Sequence, residues 1–154
     1  MTISDPGVQT PRNETQARQT RTQLEQSARN GSTYFLWIAF FSIFNKVMDM
    51  LSTKRRFVFG LGAPQYIERS LALANPALIW GITIVLAIVF VLFGFFARRG
   101  NIPVYIIGII FYLVDMALSI LSGDIVGAVV HVVFTVLLVL GLIATRKLKD
   151  LPPA

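Results

Sequence analysis

The chain has 154 residues, 55% hydrophobic and only 14% charged, with a net charge of +6 and no cysteine. That balance lies outside the soluble globular range and points to a single membrane domain. The absence of cysteine excludes disulfides, thiol redox chemistry, thiolate metal sites and S-palmitoylation on this chain. The basic residues are dispersed among segment flanks without aromatics gathered beside them, which argues against a nucleic-acid partner.

Residues 1–32 are rich in Thr, Gln, Arg and Asn and have almost no apolar run, unlike a cleavable signal peptide. They predict a disordered or polar-helical cytoplasmic tail. Residues 33–51 form a first candidate span, whose apolar part is short and carries Asn45, Lys46 and Asp49 toward its end. Residues 52–75 are too long for a simple turn. Their mixture of apolar residues, glycines and charges suggests a piece folded back onto the outer membrane face, with a short amphipathic helix around residues 66–73; an irregular loop with lipid-facing aromatics is the plainer alternative.

Three further stretches, residues 77–97, 103–121 and 125–144, are long and apolar enough to cross a hydrocarbon core of about 30 Å. Local chemistry fixes their ends. Asn75 before Pro76 suits an N-cap and first turn, Pro103 follows the turn at Gly100 and Asn101, and Gly123 with Asp124 suits a helix stop followed by an N-cap. Tyr34, Trp37, Trp80 and Tyr105 lie near span ends, where aromatic belts belong. Residues 147–154 form a second cytoplasmic tail.

Counting Lys and Arg on each side places the N-terminus inside, gathering Arg12, Arg18, Arg21 and Arg29 with Arg98, Arg99, Arg146, Lys147 and Lys149. Lys54, Arg55, Arg56 and Arg69 oppose this in the first loop. Four spans with both termini cytoplasmic is the better account.

Ionisable groups within a bilayer are costly unless paired, so each one marks a candidate site. Helical phase gathers Gly108, Tyr112, Asp115, Ser119 and Ser122 on one face of the third span, and Gly127, His131 and Thr135 on one face of the fourth. The first offers Ser42, Asn45, Asp49 and Ser52, with Lys46 one step off that line. The second offers only Thr83, Ala87 and Gly94, and is expected to be the most lipid-facing or the blandest packer. At about 1.5 Å of rise per residue, Lys46, Asp115 and His131 each lie roughly 5 Å to the outer side of their span centres. The expectation is a polar pocket of Asn45, Lys46, Tyr112, Asp115 and His131, with Gln65 or Glu68 of the first loop as a lid. Bland readings stand beside it: a structural hydrogen bond or ion pair for Asp115, a histidine satisfied by a neighbouring helix, a local Lys46–Asp49 pair that snorkels outward, and an N-cap for Asp124.

One histidine cannot supply a bis-histidine haem site, and no His/Asp/Glu spacing matches a dedicated metal site, so no metal or cofactor is expected. Ser119 or Ser122 with His131 carries no nucleophile motif, so enzyme activity is not expected.

The run Gly31, residues 35–39, Asn45, residues 57–62 and Gln65 resembles the opening of small bacterial integral membrane proteins usually labelled hypothetical. Residues 97–101, Gly108, Tyr112, Asp115, Gly123, Asp124, His131, Gly141 and Leu142 extend the resemblance over about residues 31–147. It implies a four-span protein of the bacterial inner membrane and brings no catalytic residues. Lys46 departs from the small residue such a pattern carries after Asn45.

The sequence thus predicts an all-α integral membrane four-helix bundle in residues 33–146, with a polar N-terminal tail and a membrane-associated first outer loop. Its expected partners are the lipid bilayer and a second copy or another membrane protein. A structural, accessory or partner-binding role is the first reading; a small proton-, ion- or solute-coupled carrier using Asp115 and His131 is the alternative.

Overall fold

The computed structural model describes residues 11–51, 61–70 and 75–152, and the side chains of these apart from residues 11–14, 65, 68 and 69. The side chains of Gln65 and Glu68 therefore lie outside the described residues, as do residues 52–60 and 71–74 of the first loop. Five helices make up the described chain: α1 Pro11–Met50, α2 Gly62–Ser70, α3 Pro76–Arg98, α4 Ile102–Leu121 and α5 Ile125–Asp150. No strand occurs among the described residues.

The helix ends follow from side-chain caps. Asn75 Oδ1 accepts from Ala77 N at 3.0 Å, Asn101 Oδ1 from Val104 N at 3.3 Å and Asp124 Oδ1 from Gly127 N at 3.0 Å. Each satisfies one of the amides that a helix start leaves without an internal partner. Gly100 and Gly123, both at φ 73°, supply the left-handed residue that lets α3 and α4 stop and the chain reverse within a few residues.

The described part of the N-terminal tail, from Pro11, and the first candidate span form one continuous helix of 40 residues, about 60 Å long. Composition changes near residue 31, but the backbone does not, because nothing in that stretch breaks a helix strongly. The polar half carries an Arg21–Glu25 pair one turn apart at 3.1 Å. The apolar half lies between α3 and α5, antiparallel to both, and α4 closes a ring of four by packing on α3 and α5. Phe35 sits fully buried at the centre, against Phe90, Phe93 and the edge of Tyr105.

Small residues set the close crossings. A Cβ on Gly31 would overlap the Gly141 Cα and the Tyr105 hydroxyl, and one on Gly141 would overlap the same hydroxyl and the Gly31 Cα. Glycine inside a helix costs roughly 0.5–1 kcal/mol relative to alanine, offset here by the backbone contact it permits. A Cβ on Gly94 would stand 3.0 Å from Leu36, and one on Gly108 would stand 2.8 Å from the Phe35 ring. Three buried hydroxyls return to their own helix backbone: Ser42 to Ile38 O, Thr83 to Ile79 O and Thr145 to Gly141 O, at 2.7–2.8 Å.

Helices α3, α4 and α5 are long and apolar enough to cross a membrane. Only 28%, 33% and 22% of their apolar windows is buried within the protein, so most of each surface needs an apolar surround. These properties fit a membrane protein. The lowest share belongs to α5; α3, expected to be the most lipid-facing or the blandest packer, lays Thr83, Ala87, Phe90, Gly94 and Ala97 inward, and its principal partner is α1. Tyr105 is likewise not a belt residue. It stands one turn into α4 on the inward face, where the Gly31–Gly141 crossing leaves room for its ring.

A carboxylate and an imidazole beneath a short helix

The α4 face forecast by helical phase is the buried one: Gly108, Tyr112, Asp115 and Ser119 all point inward, joined by Tyr105 and Ile109. On α5, Gly127 and His131 are buried. The chain reverses at Gly123, so Asp115 and His131 come level on adjacent antiparallel helices. His131 Nε2 lies 2.8 Å from Asp115 Oδ2, and the two residues are 1% and 5% exposed.

Two more donors reach the same carboxylate. Gly62 N donates to Oδ2 and Ala63 N to Oδ1, each at 2.8 Å. These are first-turn amides of α2, which have no acceptor within their own helix, and the positive end of the helix dipole faces the acid. Gly62 is what permits the approach. A Cβ there would stand 2.7 Å from Asp115 O and 2.8 Å from Ser119 N, both backbone atoms of α4 that cannot step aside. The segment between α1 and α3 thus covers the pair with main-chain amides at the start of α2.

The partners determine the proton count. His131 Nδ1 lies 2.7 Å from Gly127 O, and a carbonyl only accepts, so Nδ1 carries a hydrogen. One further proton occupies the contact between Nε2 and Oδ2. Wherever along that contact it sits, the pair has no net charge. The contact is a buried salt bridge joined through that one shared proton. The Tyr112 ring stacks on the imidazole, with centroids 4.7 Å apart and planes 19° from parallel.

Lys46 Nζ contacts Asp49 Oδ2 at 3.2 Å on α1. Among the described residues, no hydrogen bond joins Asn45 or Lys46 to Asp115 or His131. Asp124 serves as the cap of α5. Ser122 Oγ donates to Leu118 O at 2.8 Å, and both ring nitrogens of His131 are engaged, so no nitrogen remains to activate a serine. Among the described residues, no three His, Asp or Glu side chains converge.

Sequence reasoning missed the α2 amides. Backbone donors have no residue signature, and the one available signal was Gly62, read as loop composition and as part of the resemblance but not as a close approach to α4. Compared with known proteins, the chain matches no family model, no curated protein and no solved structure.

Proposed function

We propose that this chain is a non-catalytic membrane protein of four spans, a structural, accessory or partner-binding component in which the Asp115–His131 pair fastens α2 over the end of the bundle. The observation that carries the reading is closure. Both carboxylate oxygens and both ring nitrogens have partners within the protein, and both residues are buried, whereas a carrier site offers unpaired groups to an open cavity. A net-neutral pair with its hydrogen bonds satisfied is also a form in which ionisable residues can be held within a membrane.

The fourth span is supported by chain direction. Arg21 Nη1 of α1 donates to Pro152 O beyond α5 at 3.2 Å, so the polar start of α1 and the end of α5 lie at one end of the bundle. The segment after α1 meets Asp115 toward the other end. With α3, α4 and α5 each crossing once, this arrangement favours a further crossing by the apolar half of α1. The distribution of Arg and Lys favours the cytoplasm for the shared end, and the resemblance to small bacterial membrane proteins favours an inner membrane.

The test is reconstitution into vesicles holding a pH gradient. The reading expects no proton flux above that of protein-free vesicles, and expects Asp115→Asn and His131→Ala to lower folded yield. Flux in the native protein that disappears in a folded Asp115→Asn variant would establish the carrier reading instead.

A further inference from the structure

The opposite end of the bundle holds a cleft of about 540 Å³ between the polar half of α1, the turn joining α3 to α4 and the last turns of α5. Four cations, Arg21, Arg29, Arg98 and Lys149, line it against one carboxylate, Glu25. Glu25 is already engaged by Arg21 Nε at 3.1 Å, and Arg98 Nη2 donates to Thr33 Oγ1 at 3.1 Å. Among the described residues, Arg29 and Lys149 form neither an ion pair nor a side-chain hydrogen bond.

Helix dipoles account for part of this charge, since Arg98 and Lys149 fall in the last turns of α3 and α5. They account less for Arg21 and Arg29, which sit within α1 away from its own ends and reach this cleft from the side, Arg21 donating to Pro152 O just past α5. A general excess of basic residues on one membrane face does not explain why four converge on one concavity. The depth of the cleft points to a ligand. Ala97 and Thr145, buried in the closing turns of two apolar helices, form part of its wall, and the cations stand just beyond them. That is the level at which lipid phosphates lie, and basic pockets between spans are suited to anionic headgroups.

We propose that this cleft is a phosphate-binding site, with Arg29 and Lys149 as its principal contacts and Arg98 and Arg21 as flanking charges. Guanidinium groups present paired donors matched to phosphate oxygens, and lysine adds a mobile point charge. The phosphate is that of an anionic glycerophospholipid or of a free phosphate, which share this chemistry. The site lies about 20 Å along α4 and α5 from Asp115 and His131, and its occupancy does not depend on the role of that pair.

The test uses the full chain in detergent at fixed ionic strength, with binding followed by native mass spectrometry and thermal unfolding. Probes are phosphatidylglycerol, phosphatidylcholine and inorganic phosphate. The expected result is preference for phosphatidylglycerol over phosphatidylcholine, reduced about thirtyfold in Arg29→Gln/Lys149→Gln. A control, Arg99→Gln/Lys147→Gln, removes the same charge outside the cleft and is expected to bind as the native chain does. Glu25→Gln, which removes the opposing carboxylate, is expected to tighten binding and keeps the question answerable if the double variant fails to fold. Protection by inorganic phosphate equal to that by phosphatidylglycerol identifies a free phosphate as the source; protection by the lipid alone identifies the headgroup. Equal loss in cleft and control variants, weaker binding in Glu25→Gln, or no preference among the probes overturns the proposal. A proton flux through Asp115 would overturn the functional reading above and leave this result unaffected.

Discussion

Replacing Asp115 by alanine should detach α2 and destabilise the bundle together, whereas replacing His131 should do only the second. The carboxylate holds Gly62 N, Ala63 N and His131 Nε2, each at 2.8 Å. Hydrogen bonds to a charged group contribute about 1.5–3 kcal/mol each. Three of them give an upper bound of about 4.5–9 kcal/mol, reduced because α2 lies at the rim of the bundle, where its freed amides can reach water. Removing one member of a buried ion pair costs about 3–5 kcal/mol in itself, and that is the expected loss for Asp115→Ala, about two to four orders of magnitude in the folded-to-unfolded ratio. In His131→Ala the carboxylate keeps both amide donors, so α2 should stay docked while stability falls through the lost ion pair and the lost stack on Tyr112. The chain has no cysteine, so a single Ser70→Cys at the exposed end of α2 can carry a spin label in each background. The label should be freely mobile in Asp115→Ala and restrained in His131→Ala and the parent, with stability read by denaturant titration in bicelles. Full release of α2 in His131→Ala, or a restrained α2 in Asp115→Ala, would refute the assignment of the docking energy to the carboxylate and the α2 amides.

Gly62→Ala should release the same label while leaving the Asp115–His131 contact in place, at a cost of about 1–3 kcal/mol, because the added methyl meets the α4 backbone; an unchanged spectrum would argue against tight docking. Gly141→Val should force α1 away from α5 and lower the unfolding midpoint, and distance measurements between labels on those two helices would show the separation. Asn101→Ala should cost about 1 kcal/mol through the lost cap on Val104 N, with no effect on α2 mobility. Single cysteines replacing Gln26 and Lys149 should react with an impermeant thiol reagent from the same side of a sealed vesicle, and Ser70→Cys from the other; matching accessibility at all three would remove the fourth crossing.

The amino-acid sequence was sufficient for features that depend on neighbours a few residues away. The caps at Asn75 and Asp124 and the reversals at Gly100 and Gly123 are local hydrogen-bond and backbone preferences. The inward face of α4 follows from the 3.6-residue repeat acting on Gly108, Tyr112, Asp115 and Ser119. The Lys46–Asp49 contact is of the same local kind. Tertiary structure decided what depends on distant backbone. The change in composition near residue 31 marks where polar surface gives way to apolar surface, and the helix runs through it because hydrogen bonding along α1 is indifferent to what its side chains face. Tyr105 looked like an interface anchor, and only the approach of Gly31 to Gly141 makes a place for it inside. Asp115 found main-chain amides that residue identity does not encode, delivered by a segment more than fifty positions away. A side chain's repeat reveals which way it points, but the atom it meets is set by packing among helices that the repeat does not contain.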